Sequence, residues 1–159
     1  MVRSLTFATI AGAALLAGGA LVAQEQASPA ETAHEAREAQ MELQAITLGQ
    51  IGPMAQGKAE YDAAVAQAAA DNLNHLAQML DAPFYWIPGS AKGEVEGSRA
   101  LPAIWENMDD VNAKIVAFQE AAAQLQANAG TDLESLQAAL QGVGQTCGSC
   151  HEAYRADEE

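Results

Sequence analysis

The sequence predicts an all-α protein, an antiparallel four-helix bundle, on three observations. Apolar residues recur at helical three-and-four spacing in four separate segments. Two runs, Ser28-Pro29-Ala30-Glu31 and Thr131-Asp132-Leu133-Glu134, have the form of capping boxes that start helices. No stretch alternates apolar and polar residues long enough to suggest a strand.

The first helix starts with Ser28 at the N-cap, Pro29 at the first turn and Glu31 folding back. It is expected to run to residues 54–56, bent near Gly52-Pro53, with Met41, Ala45, Leu48 and Ile51 facing inward. The second spans residues 60–80, with Val65, Ala68, Asn72, Leu76 and Met79 on one side; Asp81-Ala82-Pro83 stops it. A long connection over residues 83–101 follows, rich in turn residues such as Pro88-Gly89. A third helix is expected without interruption over residues 102–129. Its stripe is Ile104, Met108, Val111, Ile115, Phe118, Ala122 and Leu125, and Gly130 ends it. Thr131 then caps the fourth, whose stripe is Leu133, Leu136, Leu140, Val143, Cys147, Cys150 and Tyr154. Short outer links and one long middle link suit antiparallel neighbours.

The chain ends and the charge add limits. Arg3, an apolar run from Leu5 to Val22, and Ala23 before Gln24 read as a secretory leader of residues 1–23, shorter and richer in Gly and Ala than a permanent anchor. Residues 24–159 then make one domain with one core. The formal charge of −14 becomes −15 on loss of Arg3. Such a surface disfavours nucleic acid and anionic lipid and suits a basic partner. No nucleophile–base pair, phosphate loop or paired acidic site supports catalysis of hydrolysis or transfer.

The most specific chemistry lies in the fourth helix, at Cys147-Gly148-Ser149-Cys150-His151. A C-x-x-C-H run is the attachment signature of c-type haem: two thiols add to the haem vinyl groups and the adjoining imidazole becomes an axial ligand of the iron. A structural zinc site needs four ligands, and only His34 and His75 remain, far upstream. A thioredoxin-like pair would sit in a βαβ pattern, which is missing from this sequence, and a disulfide across two intervening helical residues has awkward geometry. A haem-free thiol oxidoreductase using Cys147 and Cys150 stays as the alternative of another class. Both cysteines fall in register with the inward stripe, so one covalently attached haem would lie within the bundle.

These residues resemble the cytochromes c prime, the class II c-type cytochromes of bacterial periplasms. The likeness rests on Cys147 to Arg155, on Ser98-Arg99-Ala100-Leu101-Pro102-Ala103-Ile104-Trp105, and on Arg37-Glu38-Ala39-Gln40-Met41. It implies that Cys147 and Cys150 hold the haem and that His151 is the proximal iron ligand. Arg155 would tune the proximal side, and Arg37 would meet a haem propionate. Glu38 stands where family members often carry glutamine, and a carboxylate there would repel a propionate. Ser98 and Arg99 are weaker candidates for the haem edge.

Met41 falls at the family position that covers the distal face of the iron. It would either plug a five-coordinate, high-spin site or ligate the iron in a six-coordinate, low-spin electron-transfer centre. The whole pattern favours the five-coordinate form, whose apolar distal side suits nitric oxide and carbon monoxide. The resemblance also implies a periplasmic location and a homodimer through the first two helices. His34 and His75 are expected at the surface, Phe84, Tyr85 and Trp86 at the bundle end, and Trp105 and Tyr154 beside the haem.

Overall fold

Ser28 and Glu31 cap each other's backbone, Glu31 N–H donating to Ser28 Oγ at 3.2 Å and Ser28 N–H to Glu31 Oε2 at 2.6 Å. They start α1 (Pro29–Ala55), which continues through Pro53 for its last turn. The structure is a computed structural model describing residues 27–157; the leader assigned to residues 1–23 lies outside the described residues. Asp62 accepts from the N–H groups of Ala64 and Val65 and starts α2 (Ala63–Ala77), shorter at both ends than the apolar pattern suggested. After a single 3₁₀ turn (Pro83–Trp86), the connection folds through positive-φ glycines at 89, 93 and 97.

The third expected helix is two: α3 (Ala103–Glu106) and α4 (Met108–Asn128). Asn107 lies outside helical geometry, at φ −136° and ψ 43°, and its carbonyl accepts from Val111 to begin α4. The stripe from Ile104 to Leu125 runs across this break because apolar spacing follows the core, not the backbone bonds. Asp132, rather than Thr131, caps α5 (Leu133–Tyr154), its Oδ1 accepting from Ser135 N–H at 2.7 Å. Gly130 sits where α4 closes on α2: a Cβ there would stand 2.7 Å from Gln67 Oε1.

Helix α1 packs on α2, α2 on α4, α4 on α5, and α5 closes on α1, giving the four-helix bundle. The stripes of α4 and α5 face the core as expected, with Val111, Ile115, Phe118, Leu125, Leu136 and Val143 buried. The faces of α1 and α2 are turned about one residue from expectation. The inward residues of α2 are Ala66, Ala69, Ala70, Leu73 and Ala77, while Val65 is exposed. On α1 they are Ala33, His34, Arg37, Gln40, Gln44, Thr47, Ile51 and Met54, while Met41 and Ala45, expected inward, are exposed. Small side chains let these two helices approach closely; Gln40 Nε2 donates across to the carbonyl of Leu76, while the buried Gln44 Nε2 has no partner among the described residues. No helix among the described residues is long and apolar enough to cross a membrane.

Candidate functional site

The C-terminal turn of α5 is held against the connection by a short antiparallel exchange. Leu101 N–H donates to Tyr154 O at 2.9 Å, Ala156 N–H to Arg99 O at 2.8 Å, and the Arg99 side chain returns to Ala156 O. This clamp closes one end of a cavity of about 470 Å³ between α1, the connection and α5, a volume within the roughly 300–1,000 Å³ of small-molecule sites.

Every expected site residue except Cys147 lines it. Arg37, Glu38 and Met41 come from α1, and Cys150, His151 and Arg155 from the end of α5. Cys147, one turn earlier on α5, is partly buried against the core, and neither thiol is bonded to the other. Arg155 has left the helix; it is the C-cap residue, paired through its backbone with Ala100. Ser98, Arg99 and Tyr154 also line the cavity, whereas Trp105 does not.

Two residues belong to this wall that the sequence placed elsewhere. His34 is only 8% exposed and lines the cavity instead of facing solvent, its Nε2 lying 3.6 Å from Glu38 Oε2. The signal was available: His34 stands three residues before Arg37 and four before Glu38, on one helical face. Trp86 likewise reaches the cavity, because its indole N–H is anchored to Leu80 O and its carbonyl accepts from Trp105 Nε1. His75 is exposed, as expected.

Arg37 is the hub. Its guanidinium donates to the carbonyls of Tyr85 and Ser90 and to Ser90 Oγ, and lies 5.9 and 5.7 Å from the rings of Trp86 and Trp105. This sandwich stitches the connection onto α1 and combines hydrogen bonding with cation–π attraction.

The electrostatics suit metal ligation by His151. Burial first, then the nearby Arg155 and Arg99, hold its imidazole below the ordinary histidine range, which favours the neutral form with a free lone pair. Burial pushes both cysteine thiols up and keeps them protonated. Tyr154 donates to Asp110 Oδ2 at 2.6 Å, joining α5 to α4; its phenol is pushed up to about 12, chiefly by that bond. The donor set therefore fits a covalently held haem, with thiols on successive turns of α5 and a neutral imidazole beside the second, while Arg37, expected to meet a propionate, already donates to Tyr85 and Ser90.

Comparison with known proteins agrees. The family model described as Cytochrome C' matches residues 32–155. The chain is 47% identical to cytochrome c-554 of Cereibacter sphaeroides over 152 residues, covering 96% of this chain and 94% of that protein. Among solved structures, cytochrome c' from Rhodobacter Spheriodes superposes with a TM-score of 0.77 at 40% identity, over 81% of this chain and 98% of that one. A variant cytochrome c prime from Alcaligenes xylosoxidans in complex with nitric oxide gives 0.70 at 35% identity, over 84% and 100%. With a haem-attachment run on α5, a cavity built around it and relatives matched along nearly their whole length, the chain belongs to the cytochrome c' family, whose cofactor is one covalently attached haem c.

Proposed function

We propose that this is a periplasmic haem protein whose five-coordinate iron binds small gases, nitric oxide and carbon monoxide among them, and exchanges electrons. The observation carrying this reading is that His151 and Met41, from different helices, line one cavity. Haem bound there supplies an iron centre able to take one electron or one diatomic ligand. Cys147 and Cys150 would fix the group to α5, and His151 would offer its imidazole to the metal. Met41, an unbranched and movable side chain 36% exposed on the α1 wall of the cavity, would shield a bound haem without offering a hydrogen-bond donor. Neutral diatomics need no such donor. Arg155 sets the charge beside His151, and Arg37 holds Trp86 and the connection against the cavity. The exposed Leu43 and Ile46 of α1 and Val65 of α2 suit a homodimer, and the acidic surface suits a basic redox partner.

A second reading makes Met41 a ligand and the protein a low-spin electron carrier. It is favoured by Met41's place on the cavity wall. Optical spectra of the ferrous holoprotein with and without carbon monoxide separate the two. Broad bands that change sharply with the gas support the open iron; sharp, split bands indifferent to it support thioether ligation. A Met41→Leu variant should leave the first kind of spectrum alone and abolish the second.

A further inference from the structure

We propose that Tyr154 is a positioning residue for His151: its bond to Asp110 fixes the turn of α5 from which the imidazole reaches the iron. The inference rests on haem occupying this cavity with His151 as its ligand. A metal-bound histidine is ordinarily oriented by a hydrogen bond at its second ring nitrogen. No protein group among the described residues hydrogen-bonds the ring of His151. The ring takes its direction from the backbone that carries it, so whatever holds that backbone acts at the metal.

That backbone is the last turn of α5. The Arg155 N–H donates to the carbonyl of His151 at 3.0 Å, and the Leu101 N–H to that of Tyr154 at 2.9 Å. The Tyr154 phenol adds a bond to Asp110 Oδ2 at 2.6 Å. The first two are main-chain bonds, which tie the turn to itself and to the connection. The phenol carries the turn across to α4. Tyr154 stands three residues after His151 on the same helical face, and both line the cavity.

Both ends of this bond are placed. Tyr154 is only 8% exposed and belongs to the apolar core, so its hydroxyl needs a partner and its ring cannot swing to another one without opening the packing. Asp110 lies in the first turn of α4, where the helix dipole favours a carboxylate, and Lys114 Nζ stands 3.8 Å from the same oxygen. Asp110 itself is exposed, so replacing it removes the acceptor and leaves the core of both helices in place.

Proton NMR of the ferric holoprotein tests this, because the spread of the haem-methyl signals responds to the plane of the axial imidazole with or without a sixth ligand. Tyr154→Phe and Asp110→Ala should each change that spread. The double variant should change it no further, since both substitutions remove one and the same bond. Asp110→Asn keeps an acceptor for the phenol without the charge, and should retain the wild-type spread. Leu136→Ala, far earlier on α5, should lower the melting temperature and leave the spread alone. A wild-type spread in Tyr154→Phe overturns the proposal. So does a change in Asp110→Asn as large as in Asp110→Ala, which would assign the effect to charge, or an equal change in Leu136→Ala, which would assign it to stability. Should Tyr154→Phe not fold, Asp110→Ala decides by the same signals. Absence of covalent haem from the wild type overturns the haem reading together with this proposal, whereas low-spin signals overturn the five-coordinate reading alone.

Discussion

The two halves of this bundle are built from different residues. In α4 and α5, large apolar side chains carry the core: Val111, Ile115, Phe118 and Leu125 meet Leu136 and Val143. In α1 and α2 most inward positions are alanines and polar groups, with Ile51, Met54 and Leu73 as the large exceptions, and other large apolar residues point outward, with Leu43 50% and Ile46 56% exposed. One half is held by the volume it excludes from water, the other by close approach and polar pairing. The cavity lies where these two solutions meet, with the attachment residues on α5 and the polar, charged wall on α1.

The comparison breaks first in the apolar half. Leu136→Ala removes a fully buried leucine from α5 and should cost about 2–5 kcal/mol, through lost transfer energy and the cavity left behind. Urea unfolding of the holoprotein measures it; a loss below about 1 kcal/mol would mean that α5 relaxes as freely as a surface helix. In the other half the sign reverses. Ala70→Leu on α2 adds apolar surface at a fully buried site, yet should destabilise by about 1–3 kcal/mol because the helices have no room for it. A stabilised variant would mean that α2 is underpacked.

That contrast also explains what was legible beforehand. The α4 and α5 stripes were readable because their large apolar residues are the ones buried, and the C-x-x-C-H run falls on the same stripe. On α1 and α2 several large apolar residues, Met41, Leu43, Ile46 and Val65 among them, lie on the outside, while Ile51 and Leu73 are buried. A reading weighted by side-chain size therefore turned both helices by about one position and set the inward residues Ala66, Ala69 and Ala70 aside. His34 is hard to place for a related reason: its helical spacing to Arg37 and Glu38 is readable, but a histidine among polar residues reads as solvated. The break at Asn107 left no trace in the apolar pattern, since Ile104, Met108 and Val111 keep helical spacing across it. Asp132 displaced Thr131 as the cap because both can accept from the backbone and only the local geometry chooses.

A smaller effect tests the seam between α4 and α5. Tyr154, donating to Asp110, has its folded-state phenol raised to about 12, against roughly 10 for an unperturbed tyrosine. A raised value means that the stabilisation is complete below about pH 10 and is lost as pH climbs towards 12. Melting temperature against pH should therefore fall more steeply between about 10 and 12 for the wild type than for Tyr154→Phe. Parallel curves would remove this bond from the account of the seam.

The smallest effect on the fold should be the most telling about assembly. Leu43 and Ile46 are exposed on α1, so replacing both with lysine should change the stability of the isolated subunit by no more than about 0.5 kcal/mol for each position. If these outward residues cover a second copy, the same double variant should sediment as a monomer at concentrations where the wild type is a dimer. Val116→Lys on α4 is the matched control: Val116 is 51% exposed, so it offers a comparable apolar surface on the half whose large residues otherwise face inward. A single exposed apolar residue needs no partner to explain it, and this variant should leave the dimer intact. Dimer loss in the α1 variant alone would show that the half poorer in internal apolar volume completes its burial between subunits. Loss in both variants would trace the effect to added positive charge, and loss in neither would leave α1 and α2 stable through alanine packing and polar pairing within one chain.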